Sequence, residues 1–124
     1  MSTYCDQDDI EARFGATNVA AWASLAEGDD AAAQAARVTV AISVASAEID
    51  DFLRARPDTE SKLPLDPVPT TIEDKAALRA GLWLYTFRAA ADMNNRDSFI
   101  SWVWRAYRTW VHDLQADKIK LDIR

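Results

Sequence analysis

Apolar residues recur at helical rather than alternating spacing along most of the chain, and glycine, proline and capping residues divide them into segments. Asp6, followed three residues on by Asp9, is a variant of the capping box. Ile10 and Phe14 follow on one face, and Gly15 supplies a C-terminal stop. Thr17 is expected to cap a second short helix that carries Val19, Trp22 and Leu25 and is closed by Gly28. Asp29 and Asp30 offer N-caps to a long helix from Ala31 to about Arg56. That stretch lacks Gly and Pro, and Val38, Ile42, Ala45, Ile49, Phe52 and Leu53 form its main stripe. At 1.5 Å per residue it spans about 39 Å, and Pro57 stops it.

Val40 and Val44 project opposite that stripe, flanked by Ala33 and Ala47, so either the rest of the chain or a neighbouring copy covers them. The prolines of Leu63 to Pro69 fix φ and bias their predecessors toward extended conformations, which predicts a stiff connector. Thr71, with Asp74 three residues on, is expected to open a third helix reaching about Ala91. Its apolar residues, among them Leu78, Leu82, Trp83, Leu84, Tyr85 and Phe87, point in nearly every direction, so it must be covered on most sides. After the break Asp92-Met93-Asn94-Asn95, a fourth helix runs from about Asp97 to Gln115. Phe99, Ile100, Val103, Tyr107, Trp110, Val111 and Leu114 form a core stripe about 160° wide, opposite Ser101, Arg105, Arg108 and His112. Trp102 falls outside that stripe, which makes it either half-buried beneath the N-terminal helices or an anchor for a partner. From Lys118 to Arg124 the pattern alternates, with Ile119, Leu121 and Ile123 on one side. That segment is a strand seeking another molecule's sheet edge, or an extended tail. The fold class is therefore all-α, a small bundle of about four to five helices with one long helix. Residues 1–117 form the helical domain, and residues 118–124 form an extended docking tail.

Composition sharpens this outline. At 124 residues and 49% apolar content the chain makes one domain whose core needs no metal or disulfide staple, and the single Cys5 provides neither. The formal net charge of -6 argues against nonspecific binding to nucleic acid or to an anionic membrane, since both are polyanions. No apolar run approaches the length of a membrane span, and the N-terminus is acidic where a signal peptide would be basic, so a cytosol-like site of synthesis is expected. Charge is uneven. Residues 1–30 hold seven acids against the single base Arg13, whereas residues 61–124 hold ten bases against eight acids. That asymmetry is either ordinary solvated surface or a polarity that lets one copy meet the next head to tail.

Candidate chemistry is sparse. There is no glycine-rich phosphate loop, H-E-x-x-H, nucleophile elbow or EF-hand pattern. His112 lies on a polar helix face and reads as a surface or capping histidine, and Cys5 has no adjacent base to make it a nucleophile. Asp8 with Asp9, and Asp29 with Asp30, can chelate a divalent ion only weakly and are better explained as charges complementing helix N-termini. Arg105 and Arg108 with Trp102 and Trp104 can form a phosphate or base-stacking surface, which the acidic balance disfavours. The expectation is a protein that is not an enzyme and has no catalytic, metal or cofactor residues.

An ordered series of four motifs carries a resemblance. These are Tyr4-x-Asp6-x-x-Asp9-Ile10-x-x-Arg13-Phe14-Gly15, then Ala45-Ser46-Ala47-Glu48-Ile49-Asp50-x-Phe52-Leu53, then Pro64-Leu65-x-x-Val68-Pro69, then Leu84-Tyr85-x-x-Arg88. Together they resemble the head-tail connector proteins of tailed phages, including the Mu-like prophage group and the adaptors beneath the portal. The resemblance implies a helical connector domain that assembles as a ring of about twelve copies, located in the virion neck and made in the host bacterial cytoplasm. Such a ring would contact the portal protein and a downstream neck or tail protein, a stopper or tail terminator, while packaged DNA passes through without sequence-specific binding. Val40, Val44, Trp83, Trp102, Arg105 and Arg108 are the expected subunit-interface residues, and Ile119, Leu121 and Ile123 the expected docking residues. A tail-completion or other neck assembly protein, and a cytosolic helical interaction module, are the competing readings.

Overall fold

The computed structural model describes residues 3–24, 31–60, 62–65, 67–88 and 98–116. Six helical segments follow one another: α1 (Gln7–Phe14), α2 (Ala16–Ala23), α3 (Ala31–Arg54), the single turn α4 (Pro57–Glu60), α5 (Thr70–Arg88) and α6 (Ser98–Gln115). No strand occurs among the described residues, and the all-α bundle with one long helix is as expected. The alternating segment 118–124 lies outside the described residues, as do Leu25, Gly28 and the Asp29–Asp30 pair.

Local signals set most helix ends. Asp6 and Asp9 form the full reciprocal capping box, Asp9 N donating to Asp6 Oδ1 and Asp6 N donating to Asp9 Oδ2, both at 2.9 Å. Gly15 then turns the chain at φ 91°, a value that favours glycine, donating to Glu11 O and accepting from Val19 N. Because this one residue joins α1 directly to α2, the second helix starts at Ala16. Thr17 therefore sits inside its first turn and is not the cap. Thr71 likewise lies within α5, which opens one residue earlier and whose first carbonyl acceptor is Pro69 O, bonded by Glu73 N at 3.0 Å. The long helix stops at Arg54 rather than Arg56, since the residue before a proline is biased out of the helical region. Pro57 instead starts α4, a position where its missing N–H costs nothing. Thr59 closes the corner by donating Oγ1 to Leu53 O at 2.5 Å.

The expected stripe on α3 is the core face: Val38, Ile42, Ala45, Ile49 and Leu53 are buried and Phe52 packs against them. The apolar surround of α5 is covered by this same chain. α1, α2, α3 and α6 all pack on it, and Ile72, Ala76, Ala77, Ala80, Leu82 and Leu84 are buried. Among its described side chains, which exclude that of Phe87, α5 therefore leaves little apolar surface for a neighbouring copy. Close approach depends on small residues. A Cβ at Gly81 would lie 2.1 Å from Cε2 of Phe14, whose ring is 5% exposed and packs edge-on against Trp22 at 5.3 Å between centroids. Trp22 in turn meets Tyr85 of α5 edge-on.

Polar staples fix the N-terminus. Buried Tyr4 donates its hydroxyl to Asp50 of α3 and accepts from Leu65 N at 3.2 Å, while Tyr4 N donates to the buried Ser46 hydroxyl at 3.0 Å. One side chain thus ties the N-terminal segment, the long helix and the proline connector together. Arg13 donates to Asp74 at 2.6 Å and to Asp9 O at 2.8 Å, pinning α1 to α5. Arg37 reaches the C-terminus of α2 through Ala23 O at 2.6 Å. Arg56, 6% exposed, reaches that of α6 through Leu114 O at 3.3 Å.

Two predictions follow from this packing. Gly81→Ala gains about 1 kcal/mol of helix propensity but overlaps a locked ring, so a net loss of about 1–2 kcal/mol is expected in urea unfolding, typical of overpacking. Adding Phe14→Leu should recover part of it, and an unchanged midpoint for Gly81→Ala would contradict the close approach. The second concerns alkaline pH. Burial, helped by the charges of Asp9 and Asp6, pushes the Cys5 thiol from 9.0 up to about 12, and burial with the Asp50 hydrogen bond pushes Tyr4 from 10.0 up to about 12. An acid whose pKa is higher folded than unfolded binds its proton more tightly in the native state. Its contribution is whole below the unfolded value and is lost as pH rises toward the folded one. Melting temperature should therefore decline from about pH 9 upward, and Cys5→Ala should remove the earliest part of that decline.

Candidate assembly surface

With α5 enclosed, the large apolar side chains left exposed among the described residues are Val40 at 48%, Trp102 at 65% and Trp104 at 40%. Two of the three belong to α6. Its inner face buries Val103, Tyr107, Trp110 and Leu114, with Val111 partly covered, which matches the expected stripe; the side chains of Phe99 and Ile100 lie outside the described set. Trp102 is not sheltered beneath the N-terminal helices, which pack on other elements.

At 100° per residue, Trp102 and Trp104 fall on the two margins of the outer face of α6, with Arg105 and Arg108 exposed between them. Trp104 lies close to two arginines. The guanidinium of Arg108 lies 5.9 Å from its ring centroid and that of Arg79, from α5, lies 5.4 Å away. Inward, the Trp104 ring stacks on Tyr107 at 6.1 Å, and Tyr107 meets Trp110 at 6.1 Å. Arg79 also donates Nε to Glu48 Oε2 of α3 at 2.5 Å, so a single arginine couples the long helix to the exposed ring. Burial first, then the neighbouring Glu48 charge, raise the Tyr107 phenol above its ordinary range. Its hydroxyl and the Trp110 indole N–H are buried without a hydrogen-bond partner among the described residues.

The expected interface residues are therefore dispersed. Trp102, Arg105 and Arg108 share one exposed face, and Trp104, absent from that expected set, completes it. Trp83, on α5, is partly buried and packs against the hydrophobic core. Val40 is exposed on α3, and Val44, one turn on, is half-buried. Ile119, Leu121 and Ile123 lie outside the described residues. The i,i+4 spacing of Trp104 and Arg108 was the available signal for Trp104; the Arg79 contact has none, because it arises between helices. His112 has a side chain 76% exposed, 3.8 Å from Asp113 Oδ1, and Cys5 is buried with its thiol held protonated. Among the described residues no three His, Cys, Asp or Glu side chains converge as a metal site, and no helix is long and apolar enough to cross a membrane. A face of indole and guanidinium groups suits protein contact, since such groups combine large apolar area with directional charge.

The fold and this face define a small helical protein with exposed indole and guanidinium groups on its last described helix. The chain belongs to the bacteriophage Mu Gp36 family, whose model matches residues 4–124. It is thus a phage protein of the structural or assembly kind. No curated protein and no solved structure matches it.

Replacing Arg79 tests the link between core and surface. Arg79→Met leaves Glu48 unpaired beside Tyr107 and removes one support of Trp104. Chemical denaturation should show a loss of about 1–3 kcal/mol, and the Trp emission should shift; unchanged stability would show the link to be idle.

Proposed function

We propose that this protein is a head-tail connector, an adaptor that forms a ring beneath the portal, extends the DNA channel and links the capsid to the tail. The observation that carries the reading is an enclosed all-α bundle of the Mu Gp36 family that keeps two tryptophans exposed among arginines on one helix. A closed ring is a set of heterologous contacts, so each copy needs two different complementary surfaces. The Trp and Arg face of α6 supplies one, and Val40 on α3 marks a further exposed position. Ring stoichiometry near twelve, docking on the portal and on a downstream neck component, and a place in the virion neck belong to the same proposal. The work assigned to the chain is mechanical: no residue is given a catalytic or cofactor role. An acidic chain suits a channel wall, because packaged DNA must slide past without being held.

Mass photometry and electron microscopy of the purified protein mixed with its portal test the reading. Rings seated on the portal are expected. A protein that stays monomeric with portal present would overturn it.

A further inference from the structure

We infer that the outer face of α6 receives the acidic edge of α1 from a second copy of this chain, in a head-to-tail contact. The inference rests on the connector reading and specifies which surfaces would join its copies. Arg105 and Arg108 are exposed and have no carboxylate partner among the described residues. Asp8, exposed, and Glu11, half-exposed, share one edge of α1 at i,i+3 spacing and have no cationic partner there either; Glu11 accepts only from Gln7, at 3.0 Å. Asp6 and Asp9 are spoken for by the capping box, and Asp74 by Arg13. The two uncommitted sets are of opposite sign.

They do not meet within one molecule of this structure. α1 sits on the side of α5 marked by Asp74 and Gly81, through Arg13 and Phe14, whereas α6 sits on the side marked by Arg79, through Trp104. Asp74 and Arg79 are five positions apart, about 140° around the helix, so the acidic edge and the arginine face lie on different flanks of the central helix. A pairing absent in cis and complementary in trans would join copies in one direction, leaving each with a used and an unused surface until the set closes. The tryptophans give such a contact apolar area beside its charges. Trp102 is one turn from Arg105, and Trp104 lies under Arg108, so indole surface would be buried as the carboxylates approach.

Reversing charge tests the contact without touching the core. Arg105→Glu with Arg108→Glu makes both surfaces acidic, and Asp8→Lys with Glu11→Lys makes both basic. Each double variant alone should unfold cooperatively, at a melting temperature lowered only slightly by the loss of the Arg108 contact with Trp104 or of the Asp8 charge at the N-terminus of α1, yet self-associate at least about tenfold more weakly by sedimentation. Mixed one to one, the two should assemble in alternation, each reversed edge meeting a reversed face, and added salt should weaken that assembly. Variants that assemble alone as the parent does, or a mixture that stays monomeric, would overturn the inference while leaving the connector reading intact. If the arginine variant lost portal binding but kept self-association, the face would belong to the portal and the inference would fall. Parent oligomers that ignore the portal, with the swap behaving as expected, would uphold the contact and remove the connector reading. A parent that stays monomeric with portal present would remove both.

Discussion

The fold depends on enclosing α5. Its apolar positions point in nearly every direction, so four other helices must pack on it at once, and this is possible only because Ala76, Ala77, Ala80 and Gly81 keep its surface narrow. At Gly81 the ring of Phe14 occupies the space a side chain would need. Each flank of α5 then acquires its own polar fastener, Arg13 with Asp74 toward α1 and Arg79 beneath Trp104 toward α6. The surface that remains is what the surrounding helices do not need for this enclosure.

The motifs that carry the family likeness are, in physical terms, the staples of this enclosure. Asp6 and Asp9 close the capping box, and Gly15 makes the turn that only a glycine adopts easily. Ser46, Asp50 and Leu65 converge on Tyr4. Those residues set how the bundle is built, whereas Trp102, Arg105 and Arg108 are left exposed, and Trp104, 40% exposed, both fastens α6 to α5 and borders that exposed face. The framework and the exposed face thus draw on largely different residues of the same chain.

The helical build was legible in the sequence, down to the capping box, the stripe of α3 and the inner face of α6, because each is set by residues three or four apart. The starts of α2 and α5 were misread for an instructive reason. Thr17 and Thr71 have the right chemistry for caps, yet Gly15 and Pro69 set those starts through the backbone, and a propensity scale does not register a carbonyl. The single turn at Pro57–Glu60 was hidden because a proline reads as a stop until the chain resumes behind it.

The sequence alone determined the class of fold, the core stripes and the presence of two opposite charge populations, since these follow from local periodicity and composition. Only the tertiary structure decided where the surplus apolar surface went. The apolar girth of α5 was consumed inside the molecule, Trp102 was left in solvent, and Arg79 was brought from another helix to hold Trp104. Whether an apolar side chain is covered depends on residues far away in the chain, and helical spacing carries no record of them.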